Sequence, residues 1–159
     1  MRVHIPVQLR WSDLDAYGHV NNVQVLRLLE EVRVVAFWRA DDEEERAGMP
    51  TTAVIDARLG SSTLSIIART EIEYLKTIDY RRRPLDVQVW VGRLGGADLD
   101  VCYEIWSPAG VEPAELYARA ATTVAMVDAE TMLPRRLRPE EREAWKPYLE
   151  EPAHFKRRG

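Results

Sequence analysis

The spacing of hydrophobic residues changes once near the start of the chain, from alternation to a helical repeat. Residues 3–11 alternate loosely between apolar and polar positions, which is the pattern of a strand. From Asn21 onward apolar residues recur at helical spacing, and either Asn21 or Asn22 could cap the helix. The repeating positions are Val25, Leu28, Leu29, Val32 and Ala36. Because other apolar residues fill most of the remaining circumference, we expect a long helix that is buried on several sides.

Period-two alternation returns after this helix and continues through most of the chain. The predicted strands cover residues 64–76, 85–94, 99–106 and 115–127. Short turn sequences such as 94–97 and 107–110 join them, so an antiparallel meander is favoured over parallel crossovers. The order of one strand, one long helix and a run of strands predicts an α+β fold, with an antiparallel sheet wrapped around a single buried helix.

Three other segments complete the prediction. The acidic run 41–45 is expected to end the long helix in solvent. A short helix is expected over residues 139–145, followed by a solvated tail at 151–159. Between residues 51 and 63 the sequence supports two interpretations, because 52–57 could form a strand whereas 60–63 has the composition of a turn.

Composition narrows the class of protein. A length of 159 residues predicts one domain, and the net charge of −4 argues against a nucleic-acid partner. No window approaches the roughly 20 apolar residues of a membrane span, and the first residues lack the apolar core of a signal peptide. The single cysteine, Cys102, fits a small buried residue in a reducing compartment. We therefore expect a cytoplasmic protein that has no membrane partner.

The loop between the first strand and the helix concentrates the residues that could carry chemistry. Asp13 and Asp15 would project in similar directions from an extended loop, although each could instead only bond nearby backbone N–H groups. Gly18 marks a position that needs a positive φ or close approach to a ligand. His19 could either hold the turn or contact a substrate. The helix N-terminus that follows offers free N–H groups to a developing oxyanion.

This loop and helix resemble the acyl-CoA thioesterases of the hotdog fold, in the 4-hydroxybenzoyl-CoA thioesterase-like family. The family signature reads Asp-x-Asp-x-x-Gly-His-Val-Asn-Asn, followed along the helix by Glu-Glu-x-Arg. The matching residues here are Asp13, Asp15, Gly18, His19, Val20, Asn21, Asn22, Glu30, Glu31 and Arg33. The resemblance covers about residues 3–138 and implies a single hotdog domain over 1–159, with a short helix and tail at 139–159. Val25 stands where the family commonly has a tyrosine, which affects the expected shape of the acyl pocket.

The resemblance also implies roles for individual residues. Asp15 would be the catalytic carboxylate, acting as a nucleophile or as a base toward water, while Asp13 would order the loop. The backbone N–H of Asn22 would polarise the thioester carbonyl, and Tyr17, Gly18 and His19 would contact the substrate. The expected reaction is hydrolysis of a fatty-acyl or aryl-acyl coenzyme A. No cofactor is expected, because coenzyme A enters as part of the substrate, and no metal site is expected either.

A basic cluster, Arg81, Arg82 and Arg83, lies at a predicted turn between two strands. Such a run is either solvated or, in its functional interpretation, a site for the phosphates of coenzyme A, which suit the guanidinium fork. The resemblance further implies a homodimer or a homotetramer, for which open sheet edges give a physical reason.

Two other functions are possible on the same fold. A hydratase or dehydratase would use a histidine with a carboxylate, but the spacing of Asp13 and Asp15 from His19 does not fit that motif. A non-catalytic acyl-CoA-binding protein would keep the pocket and release no thiol.

Overall fold

The computed structural model describes residues 1–56 and 58–157. Its strands are β1 (Val3–Val7), β2 (Thr63–Tyr74), β3 (Leu85–Leu94), β4 (Asp98–Trp106) and β5 (Leu116–Asp128). Its α-helices are α1 (Asn22–Phe37), α2 (Glu43–Arg46) and α3 (Pro139–Trp145). The five strands form one antiparallel sheet in the order β1-β3-β4-β5-β2. None of the helices described is long and apolar enough to cross a membrane.

One face of the sheet packs against α1 and forms the hydrophobic core. Val101 and Tyr103 of β4 and Ala120 of β5 point to this face, together with Val25 and Val32 of α1. Burying each valine contributes about 1.5–3 kcal/mol, which outweighs the few tenths of a kcal/mol that a β-branched residue costs in a helix. This arrangement of a sheet around one long helix is the hotdog fold that the sequence predicted.

Helix α1 is buried less completely than its composition suggested. Asn21 is the N-cap, because its side chain accepts a hydrogen bond of 2.9 Å from the Val23 N–H. The sheet covers only one side of the helix, and Val23, Leu26 and Val35 keep 57%, 42% and 44% of their surface exposed. The expectation that α1 is buried on several sides is therefore wrong for the single chain described here. Helix α1 instead presents apolar residues on its outer surface.

Strand β1 is shorter than predicted because the chain turns before the motif loop, which we define as residues 14–20. A 3-10 turn at Trp11–Asp13 replaces the end of the expected strand. The Asp13 carboxylate holds this turn by accepting a hydrogen bond of 2.7 Å from the Arg10 N–H. As a result Trp11 is 74% exposed and does not join the core.

The segment before β2 does not form the strand considered for residues 52–57. Ile55 makes an isolated bridge to Trp38, and Thr52 donates its hydroxyl proton to the Ala36 carbonyl. Thr52 and Ile55 are buried, so this segment covers the C-terminal end of α1 as an irregular loop. Ala57 lies outside the described residues.

The C-terminal strap, which we define as residues 149–156, packs on the opposite face of the sheet from α1. The Glu150 N–H donates to the Val91 carbonyl at 3.0 Å, and the Trp90 indole N–H donates to the Glu151 carbonyl at 2.9 Å. At Gly92 a Cβ atom would lie 2.7 Å from Cys102 Sγ and 3.2 Å from Pro152 Cα, so a side chain there would have to displace both the cysteine and the strap. The tail is therefore held to the sheet by backbone contacts. Most of its described residues are exposed, as predicted: Glu151, Pro152, His154, Lys156 and Arg157.

Candidate active site

The motif loop is a closed turn that leads directly into α1. A bridge joins Leu14 to Val20, and inside it the Asp15 N–H donates to the His19 carbonyl at 2.8 Å. The Gly18 N–H donates to the Asp15 carbonyl at 3.1 Å, which requires the positive φ of 78° that Gly18 adopts. This value confirms the prediction that Gly18 needs a left-handed backbone conformation.

The two aspartates of the motif lie in different environments. Asp13 is fully buried, and both its oxygens accept hydrogen bonds from Arg10. Because the 3-10 turn breaks the alternation of an extended chain, the expectation that Asp13 and Asp15 both face one cleft is wrong. The bonds of Asp13 explain how it orders the loop.

Asp15 is half-buried and lines a cleft of about 460 Å³. Its Oδ1 accepts a hydrogen bond of 2.8 Å from the Tyr17 N–H, which holds the side chain in place. Its Oδ2 makes no hydrogen bond to any residue in the described part of the chain. One oxygen of Asp15 therefore fixes the carboxylate, and the other is available at the cleft.

The N-terminus of α1 forms a second part of the same cleft. Asn21 caps the Val23 N–H, but the Asn22 N–H makes no hydrogen bond within residues 1–56 and 58–157. Asn22 lines the cleft together with Asp15, Tyr17 and His19. The structure thus brings together four of the predicted site residues, with a free backbone donor at the positive end of the helix dipole.

The predicted contact residues differ in how they meet this cleft. Tyr17 is 85% exposed, so its ring extends into solvent. The His19 Nε2 lies 3.5 Å from Asp79 Oδ1, and this contact joins the motif loop to the segment after β2. Gly18 is at the tip of the turn, outside the cleft lining, and a Cβ atom there would meet nothing within 4 Å. Its role is therefore to shape the turn.

The opposite wall of the cleft comes from residues that the sequence pattern did not single out. Tyr74 at the end of β2 and the following residues 75–78 line it. The Tyr74 hydroxyl donates to the Asn22 carbonyl at 3.2 Å, and burial raises the pKa of this hydroxyl. The Val20 N–H donates to the Ile78 carbonyl at 2.9 Å, which fixes this wall against the motif loop. The only local signal was the position of Tyr74 near the end of a predicted strand.

The arginine cluster lies outside this cleft, at a separate depression that includes Pro108. Arg83 donates to the Ala109 carbonyl, and the Arg82 carbonyl accepts a hydrogen bond of 2.9 Å from the Gln8 amide. Arg81 is half-buried near the Tyr117 hydroxyl, whose pKa is raised by burial, and its Nε atom is buried without a hydrogen-bond partner in the described residues. The three side chains therefore have different surroundings, and Arg82 is the exposed one whose guanidinium has no described hydrogen bond.

Comparisons with known proteins agree with this fold. The chain belongs to the thioesterase-like superfamily, whose family model matches residues 9–147. No curated protein matches the chain.

Solved structures of similar fold come from several bacteria. The PA5185 protein of Pseudomonas aeruginosa is 20% identical, with a TM-score of 0.73 over 95% of this chain and 94% of its own. The DHNA-CoA thioesterase of Staphylococcus aureus is also 20% identical, with a TM-score of 0.68 over 92% of this chain and 89% of its own. A thioesterase superfamily structure from Jannaschia sp. CCS1 is 17% identical, with a TM-score of 0.68 over 89% of this chain and 79% of its own. At these identities the likeness shows the hotdog fold alone.

Proposed function

We propose that this protein hydrolyses acyl-CoA thioesters in the cleft between the motif loop and the N-terminus of α1. The observation that supports this most directly is the pairing of two available groups in one cleft, Asp15 Oδ2 and the Asn22 N–H. A carboxylate can act as a nucleophile or a base, and a preorganised N–H donor can stabilise the oxyanion, so the two groups together suit acyl transfer to water. Membership of the thioesterase-like superfamily supports the same reaction.

In the proposed mechanism the thioester carbonyl oxygen accepts a hydrogen bond from the Asn22 N–H. This donor strengthens its interaction as the oxygen becomes negative, so it lowers the barrier to addition. Asp15 then acts in one of two ways. It attacks the carbonyl carbon, expels the coenzyme A thiolate and leaves a mixed anhydride that water hydrolyses, or it removes a proton from the water that attacks. Both routes give the free acid and coenzyme A.

The decisive experiment measures thiol release from a panel of acyl-CoAs that differ in chain length and aromaticity, with acyl-CoA binding measured in parallel. Turnover supports the proposal. Tight binding without thiol release would favour the non-catalytic acyl-CoA-binding protein. Consumption of an enoyl-CoA double bond without thiol release would favour the hydratase.

We also propose that the arginine cluster contributes to binding the coenzyme A nucleotide, and Arg82 provides the clean test. Arg82→Ala should raise KM for acyl-CoA by roughly threefold, because a single exposed contact with a phosphate is weak. Salt weakens it further, since the screening length is about 8 Å at physiological ionic strength. The effect on kcat should be small, since the contact is remote from the reacting carbonyl. Steady-state kinetics at low and high salt measure both parameters.

Arg136→Ala is the matched control, because Arg136 is exposed and its side chain makes no described hydrogen bond. An acyl-pantetheine, which lacks the nucleotide, should not distinguish Arg82→Ala from wild type. An equal rise in KM for acyl-CoA and acyl-pantetheine would contradict the nucleotide role.

We propose a homo-oligomer assembled through the β2 edge of the sheet. The two edges differ: β1 contains Pro6, which lacks an N–H and is typical of a protected edge. Strand β2 has 12 residues and no proline. It exposes Leu64, Ile66 and Ile67 by 38–42%. A long, apolar and unpaired edge favours pairing with a second copy.

The expected mass in solution is at least twice 18.3 kDa, measured by light scattering. Ile67→Lys should shift the protein toward monomer, because the new charge would have to be buried in the interface. Val35→Lys on α1 is the control for an added surface charge. A monomer in the wild-type protein would contradict the proposal.

A further inference from the structure

The peptide group that carries the proposed oxyanion donor lies at the junction between the motif loop and α1. The backbone N–H groups on either side of it are engaged. The Asn21 N–H donates to the Asp13 carbonyl at 2.9 Å. The Val23 N–H donates to the side-chain oxygens of Asn21 and Asn22 at 2.9 and 3.0 Å. Because the Asn22 N–H between them has no partner in the described parts of the chain, its direction depends on what holds Asn22 in place.

The wall formed by residues 74–78 holds this junction on both sides of the donor. Before the donor, the Val20 N–H donates to the Ile78 carbonyl at 2.9 Å. After it, the Asn22 carbonyl accepts a hydrogen bond of 3.2 Å from the Tyr74 hydroxyl. An oxyanion donor lowers a barrier most when its direction is fixed before the reaction begins. These two contacts tie the donor to the sheet from outside the motif loop.

The contact from Tyr74 differs from the other because a side chain makes it. Tyr74 is the last residue of β2, lines the cleft and lies 52 residues from Asn22 in the sequence. Burial raises the pKa of the Tyr74 hydroxyl, so the group stays protonated in neutral solution and can donate. The sequence signature of the loop and helix does not include this residue. A single substitution can therefore remove the hydrogen bond and leave the backbone and the motif unchanged.

We infer that Tyr74 is a positioning residue, which holds the first residue of α1 so that the Asn22 N–H is directed at the thioester carbonyl oxygen. This inference rests on the proposed thioesterase function and assigns a new residue to it. Tyr74 acts through Asn22 and does not contact the reacting atoms. Negative charge develops on the carbonyl oxygen in the transition state, so a misdirected donor costs more there than in the bound substrate. Loss of the hydroxyl should therefore lower kcat and leave KM almost unchanged.

The first test is Tyr74→Phe, which removes the hydroxyl and keeps the ring in the wall of the cleft. We expect kcat for acyl-CoA to fall roughly fivefold, which is the scale of losing one neutral hydrogen bond. KM should stay within about twofold of the wild-type value. Thiol release measured at saturating and limiting acyl-CoA separates the two parameters.

Hydrogen exchange gives a second readout, which does not depend on turnover. In an α-helix the N–H of residue i donates to the carbonyl of residue i−4, so the Leu26 amide reports on the Asn22 carbonyl that Tyr74 holds. Exchange at Leu26, measured by NMR without substrate, should be roughly threefold faster in Tyr74→Phe because the first turn of α1 opens more often. A fall in kcat with unchanged exchange at Leu26 would overturn the positioning role.

Tyr80→Phe is the matched control, because Tyr80 is half-buried and its ring packs on Trp11 outside the lining of the cleft, with ring centroids 5.4 Å apart. It loses the same hydroxyl and should change neither kcat nor exchange at Leu26. Equal losses in the two variants, or a rise in KM at unchanged kcat in Tyr74→Phe, would overturn the inference. Wild-type kcat in Tyr74→Phe would overturn it and leave the thioesterase proposal standing. Absence of thiol release by the wild-type protein from every acyl-CoA would overturn both proposals.

Discussion

Replacing Asp15 with asparagine should lower kcat by roughly a hundredfold or more, with little change in KM. The Oδ1 atom of asparagine can still accept the Tyr17 N–H, so the loop should keep its shape. What disappears is the negative oxygen at the cleft, which either attacks the thioester or activates water. Thiol release measured at saturating and limiting acyl-CoA separates the two kinetic parameters.

Asp13→Asn is the control for this experiment, since it makes the same chemical change two residues away. Asp13 is buried and both its oxygens bond Arg10, so its loss should reduce the free energy of unfolding by about 1–3 kcal/mol. The folded fraction of Asp13→Asn should turn over substrate close to the wild-type rate. Near-wild-type kcat in Asp15→Asn would eliminate Asp15 as the catalytic group.

Gly18→Val should abolish activity while the protein remains folded. Gly18 has a φ of 78°, a conformation that costs a β-branched residue about 1–3 kcal/mol. The turn can relieve this strain only by moving, and its hydrogen bonds hold both Asp15 and His19. Circular dichroism and thermal unfolding report the fold, while thiol release reports the site.

Gly60→Val is the matched variant for Gly18→Val. Gly60 has a φ of 85° and equally open surroundings. It lies just before the first residue of β2, however, whereas Tyr74 at the cleft is the last residue of that strand. Both substitutions should lower the melting temperature by comparable amounts, and only the change at Gly18 should remove activity. If Gly18→Val retained wild-type activity, the geometry of this turn would not matter to catalysis.

The parts of the fold that sequence reasoning predicted are those with a strong local period. Strand β3 has the predicted bounds, and β4 and β5 agree within one residue, because alternation of apolar and polar residues over most of each strand leaves little freedom in register. Helix α1 was equally evident, and Asn21 caps it by the side-chain hydrogen bond expected of an N-cap.

The parts that could not be predicted depend on contacts between residues distant in the sequence. The wall formed by residues 74–78 meets the motif loop across more than 50 residues, for example between Asn22 and Tyr74. The irregular 3-10 turn at Trp11–Asp13 has no periodic signal, yet it decides that Asp13 is buried and Asp15 is not. The packing of the C-terminal strap depends on Gly92 in β3. From the local sequence alone, this glycine indicates only a weakened strand.

The C-terminal strap has a practical consequence for every assay proposed above. Coenzyme A release is followed with thiol reagents, which also react with accessible cysteines of the enzyme. Cys102 is fully buried, Pro152 of the strap packs on the adjacent Gly92, and burial raises the pKa of the Cys102 thiol. The folded protein should therefore add almost no background colour to a thiol-release measurement. Slow labelling of Cys102 in the absence of substrate would instead report how often the strap detaches from the sheet.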